Sequence, residues 1–151
     1  MSLENAYLFQ EMTSQLRGEV SRIALDEFHE KGAFLFHAGD RADYLYILQE
    51  GRVRLSMRGT GHIAHIVSDP GAAIGWSSMV AQDIYTASAE CIVPVRVLKF
   101  EKQKLAEVLQ KDPVGGFAFY KRLAEIIGRR LVASYGATLS VHGNRDPRSY
   151  G

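Results

Sequence analysis

The chain has 151 residues, 46% of them apolar and 23% charged, enough apolar material for one domain with a real core, which excludes both a disordered chain and a small disulfide-stapled scaffold. Eighteen basic against seventeen acidic residues leave a formal charge of +1, too even a balance for a protein whose main work is holding polyanions. The single cysteine, Cys91, has no partner for an internal bridge, no run reaches the ~20 apolar residues of a membrane span, and the first residues lack the charged start and apolar run of a signal peptide, so the expected setting is the reducing cytoplasm.

Residues 7–14 read as a short helix. From Leu16 the apolar positions Leu16, Val20, Ile23 and Ala24 recur at helical spacing and predict an amphipathic helix up to Phe28, with strands beginning at about His29. Leu35-Phe36 leads into Gly39-Asp40, a pair suited to a tight turn, because glycine takes a positive φ and aspartate bonds its own backbone. Tyr44 to Leu48 is an unbroken aromatic and aliphatic run, the composition of a strand buried on both faces. After Gly51, Val53, Leu55 and Met57 alternate with Arg52, Arg54, Ser56 and Arg58, which predicts a half-buried strand with a cationic outer face.

The run from Gly39 to Val53, G-D-x-A-D-Y-L-Y-I-L-x-x-G-x-V, resembles the signature of the cyclic-nucleotide-binding domain family, which includes the bacterial catabolite activator protein and the regulatory subunits of kinase A. A looser similarity extends from about Leu16 to Tyr135. The resemblance implies a mainly β fold with flanking helices: a β-roll of jelly-roll, cupin-like plan over about residues 28–100, N-terminal helices packed outside it, and C-terminal helices over about 101–135, the last of them long. Residues 1–136 would form the domain and 137–151 a flexible tail.

Arg58-Gly59-Thr60-Gly61 reads as a turn and His62 to Val67 as the return strand. His62 and His65 are three apart, so on a strand they face opposite ways and do not converge on one metal ion. Asp69-Pro70-Gly71 is a turn opening the segment Gly71 to Ala89, where the resemblance places the ligand cassette: a glycine, a carboxylate for the ribose hydroxyl, a one-turn helix, then an arginine for the cyclic phosphate. Without gaps, the glycine falls on Gly75, the carboxylate on Trp76, the short helix on Ser77 to Val80, the arginine on Tyr85 and the small polar residue after it on Thr86. Both charges are absent. Losing one member of a desolvated charge pair costs ~3–5 kcal/mol, and at ~1.4 kcal/mol per tenfold that moves a micromolar ligand into the millimolar range. Gly75, Trp76, Ser77, Ser78, Tyr85 and Thr86 therefore form a candidate pocket for a weakly bound cyclic nucleotide or another small polar ligand, unless the two aromatic rings plug it.

Val95, Val97, Leu98 and Phe100 predict the last strand, and Leu105, Val108 and Leu109 the buried face of a helix ending at Lys111. Cys91, with no neighbouring cation in sequence, reads as a core residue rather than a redox sensor. Asp112-Pro113 is a helix start with an aspartate cap, and Gly136 sits where a C-cap glycine belongs. Phe119, Leu123 and Ile126 form one apolar stripe for the barrel. Phe117, Tyr120, Ala124, Ile127 and Leu131 form another, which predicts either a homodimer across this helix or a lid on the pocket.

Three function classes compete. The favoured one is a non-enzymatic module that senses a small molecule and signals through the long helix. The alternative is an interaction or dimerisation scaffold with a degenerate pocket, acting on an unidentified protein partner. The third is an enzyme or metal protein on a cupin-like barrel, for which His29, His37, His62, His65 and His142 are too scattered; the resemblance also admits a haem-sensing variant with His37 or Met79 as axial ligand, and nothing in the sequence marks either out. No nucleophile, base and orienting group can be named for catalysis. No further packed helices are expected after the long one, so specific DNA binding is not expected either.

Overall fold

The computed structural model describes residues 3–57, 63–80 and 83–142. A 3-10 turn at Tyr7–Phe9 leads to helix α1, Ser14–Ile23. Thr13 caps it, its hydroxyl accepting from the Leu16 amide at 3.1 Å. The helix ends five residues before the expected Phe28. Leu25–His29 is instead strand β1, drawn into a sheet by antiparallel pairing with Lys99 to Val95. Complementary side chains lie across that pairing, Arg96 to Asp26 at 3.2 Å and Lys99 to Glu27 at 3.5 Å. Partner strand and partner charges decide here against a helical spacing that continues locally.

The strands then run β2 Phe34–Phe36, β3 Tyr44–Glu50, β4 Val53–Met57, β5 Ile63–Val67, β6 Ala73–Ile74, β7 Ala87–Cys91 and β8 Val95–Glu101. They form two four-stranded antiparallel sheets, in the orders β1-β8-β3-β6 and β2-β7-β4-β5. β3 explains the layering. Leu45 and Ile47 face a core shared with the helices, while Tyr46 and Leu48 face the core between the sheets, so both faces are buried and the run is continuously apolar. β4 has Val53 and Leu55 in the inter-sheet core, whereas Met57 is exposed. Its outward Arg54 pairs with Glu90 of β7 at 2.9 Å. The expected turn at 58–61 and His62 lie outside the described residues.

Helix α2, Lys102–Lys111, follows β8 directly, and α3 spans Pro113–His142. The Asp112 carboxylate accepts from the Gly115 amide at 3.1 Å, the cap its sequence predicts. α3 runs through Gly136 rather than stopping there. A glycine cap works by taking a left-handed conformation, and Gly136 is not among the glycines with positive φ. Phe119 and Leu123 enter the helix-side core, where the Phe9 ring lies 5.5 Å from both Phe100 and Phe119. Beside this contact Tyr7 donates to Glu125 and accepts from Arg129 at 2.9 Å, and the Arg122 guanidinium lies 4.6 Å over the Tyr7 ring. The first turn and the long helix are thus joined by packing and by charge. α3 also covers the first six residues of the expected tail, 137–151, and the remainder, 143–151, lies outside the described residues.

Candidate functional site

The segment where the resemblance places the cassette, Gly71 to Ala89, contains β6, and Gly75 follows that strand directly. Gly71 has φ 92, and Gly75 has φ 82, which turns the chain out of β6 into the 3-10 helix Trp76–Met79. A Cβ on Gly75 would lie 3.2 Å from the Tyr44 carbonyl oxygen and from Tyr85 Cε1, and 3.3 Å from Phe36 Cε2, so glycine also permits the close approach of an aromatic pair. Trp76 is partly buried against the helix-side core, on the opposite side of the sheet from the inter-sheet space. Ser77 and Ser78 are buried, and the Ser78 hydroxyl donates back to the Gly75 carbonyl at 2.8 Å. Thr86 is exposed.

Tyr85 decides what the site can hold. It is only 3% exposed, and its ring stacks on Phe36 with centroids 3.7 Å apart and planes 13° apart. Its hydroxyl donates to the Tyr44 carbonyl at 2.6 Å and accepts from the Tyr44 amide at 3.1 Å. Its own amide and carbonyl bond Asp40 and Gly39 of the turn between β2 and β3. Burial pushes the phenol up to about 12, with the Tyr44 backbone contact acting against that shift. The neighbouring Tyr46 is raised as well, again first by burial. Phe36 and Tyr44 escaped the sequence reading because they stand far from Tyr85 in the chain. Only the folded turn brings them to it.

Among the described residues the inter-sheet core holds the rings of Phe36, Tyr46 and Tyr85 among aliphatic side chains, and no buried charged side chain. Among the described residues the buried polar side chains other than tyrosine are those of Ser77 and Ser78. An open cavity of about 340 Å³ lies against the cassette helix, lined by Ser78, Met79, Val80, Asp83, Lys102 and Tyr120, at the joint between that 3-10 helix, α2 and α3. Cys91 is buried in the inter-sheet core, and burial raises its thiol. His37 is exposed and stacks on Phe34, Met79 is buried in the helix-side core, and His65 is exposed. No group of three or more His, Cys, Asp or Glu among the described residues is placed to hold a metal ion, and no described helix is long and apolar enough to cross a membrane.

A family model for the cyclic nucleotide-binding domain matches residues 26–112, more than half of the chain. The chain belongs to that family. Among solved structures, a protein of Geobacter metallireducens described as cyclic nucleotide-binding shares 27% identity with a TM-score of 0.75, covering 85% of this chain and 95% of its own. A cyclic nucleotide-binding domain from Methylobacillus flagellatus shares 22% identity at TM-score 0.77, over 91% and 79% of the two chains. The Thermus thermophilus catabolite activator protein shares 20% identity at TM-score 0.74, over 91% of this chain and 63% of its own. No curated protein matches. As a cyclic nucleotide-binding domain the chain has its family's fold, two four-stranded antiparallel sheets with flanking helices and a long C-terminal one.

The second candidate surface is α3. Phe117, Tyr120 and Leu131 are exposed large apolar residues, and Ala124 is exposed beside them. Ile127 is turned partly toward the helix-side core. Val114 at 80% and Phe117 at 71% exposure mark the most open end of this face.

Proposed function

We propose that this chain is a non-enzymatic regulatory module that works through association along α3, with a cassette closed to the phosphate of a cyclic nucleotide. Of the two regulatory readings drawn from the sequence, the interaction module is preferred over the ligand sensor. One observation carries the preference. The Tyr85 ring is stacked on Phe36 and both hydroxyl bonds are committed to Tyr44, so if this is the arginine position, as the resemblance implies, a phosphate would have to displace a satisfied buried side chain. The output surface is the apolar face of α3, and the partner it fits is a second copy of the same chain. Phe117 and Leu131, 71% and 49% exposed, flank Ala124 on that face, the profile of a seam awaiting cover. Two measurements test the reading. Calorimetry with cyclic AMP should give no saturable heat below millimolar ligand, and a low micromolar Kd would overturn the closed cassette. Light scattering should give a dimer that Phe117→Asp and Leu131→Asp each convert to monomer, since a buried seam does not accept an unpaired charge. A wild-type monomer at high micromolar concentration would remove the association claim.

A further inference from the structure

Strand β3 is paired along Tyr44 to Glu50 with β8, but on its other edge β6 pairs only with Tyr46 and Ile47. Past Ile74 the chain leaves the sheet through Gly75, so the backbone of Tyr44 loses a neighbour on that edge. The Tyr85 phenol takes that place, accepting from the Tyr44 amide and donating to the Tyr44 carbonyl as a paired strand residue would. Its ring fills the gap between Phe36 of β2 and the cassette glycine. One side chain therefore joins β2, the start of β3 and the first residue before the cassette helix. That helix packs on β3 and α2, and α2 packs on α3.

We propose that Tyr85 is a built-in ligand of the cassette: its phenol fixes the cassette helix and α2 in one position with no diffusible ligand, and its removal leaves a site for a free para-alkyl phenol. The proposal deepens the reading of the cassette as closed, on which it rests. The vacated space would offer what such a phenol needs, an amide and a carbonyl of one residue for the hydroxyl and the face of Phe36 for the ring. A free ring without a hydroxyl would find the stacking face but leave the two backbone groups unpaired. With two hydrogen bonds in its favour, the phenol should bind at least about tenfold more tightly than the hydrocarbon.

The test uses the full chain carrying Tyr85→Gly, which vacates the whole side chain, with p-cresol, toluene and cyclic AMP as probes. Calorimetry should show p-cresol binding at least about tenfold more tightly than toluene. Amide exchange over 76–79 and 102–111 should be faster in the variant than in wild type and slow again with saturating p-cresol. Equal affinity for p-cresol and toluene, or exchange unchanged from wild type in a folded variant, would overturn the proposal. Tyr85→Phe keeps the ring and answers the question if Tyr85→Gly does not fold. Its Tyr44 and cassette amides should exchange about tenfold faster, and unchanged rates there would again overturn the built-in ligand. Cyclic AMP binding to wild type would count against the closed cassette alone, because the exchange rates report the tether independently.

Discussion

Tyr85→Arg puts a cation where the family resemblance expects the phosphate's arginine and removes the stacked ring in one step. In the absence of ligand the variant should be less stable than wild type. The ring stacked on Phe36 and the two hydroxyl bonds to Tyr44 are lost, and a guanidinium enters a space whose other walls are uncharged. Truncating a buried aromatic to alanine costs about 3–5 kcal/mol, and the arginine stem replaces part of that packing, so a loss of about 2–4 kcal/mol is expected before any ligand is added. With cyclic AMP the sign reverses. A desolvated guanidinium-phosphate pair separates intact from broken binding by ~3–5 kcal/mol, so the variant should gain about two to three orders of magnitude in affinity over wild type. Thermal unfolding and calorimetry on both proteins check this together: Tm falls with the substitution and climbs again with cyclic AMP in the variant only, as mass action requires for a ligand that binds only the folded state. Adding Trp76→Glu should raise affinity further if the ribose end of the ligand reaches residue 76. A wild type that binds as well as the variant would refute the reasoning, since the hydroxyls and amides of the cassette would then suffice without a cation. A folded variant with no affinity would show that the space does not reopen around an arginine.

Alkaline unfolding should report Tyr85 directly. Its folded pKa of about 12 lies above the ordinary 10.0, so the stabilisation is full below pH 10 and is lost as pH rises toward 12, at most about 3 kcal/mol. Urea midpoints between pH 9 and 12 should fall more steeply for wild type than for Tyr85→Phe, and parallel curves would contradict the assignment. Gly71→Ala should destabilise the fold by more than about 2 kcal/mol in urea unfolding. Its φ is 92 and its new Cβ would sit 1.7 Å from the Asn5 carbonyl oxygen, forcing the buried N-terminal segment off the sheet; an unaltered midpoint would refute this. Gel shifts at physiological salt should show no sequence-selective DNA binding by the 151-residue chain, whose net charge is +1 and whose Arg54 is already paired with Glu90; nanomolar selective binding would contradict that.

Periodicity and turn chemistry carried the local structure into view from the residues alone. Val53 and Leu55 against Arg54 located β4, Asp112-Pro113 located the start of α3, and the doubly apolar run of Tyr44 to Leu48 announced a strand between two cores, because each signal lies within a few residues of its cause. The family resemblance aligns Trp76 and Tyr85 with the positions where it expects a carboxylate and an arginine, an expectation that binding experiments test. Long-range pairing decided the rest. Leu25 to His29 leaves its helical spacing because β8 offers a ladder and matching charges, and Gly136 stays helical although its type suits a cap. Whether Tyr85 lines a cavity or fills it depends on Phe36 and Tyr44, and whether Ile127 faces solvent or core depends on how α3 rolls against Phe9 and Phe100. Composition fixes which groups are present, but the free energy of a buried ring or an exposed stripe depends on neighbours that only the folded chain supplies.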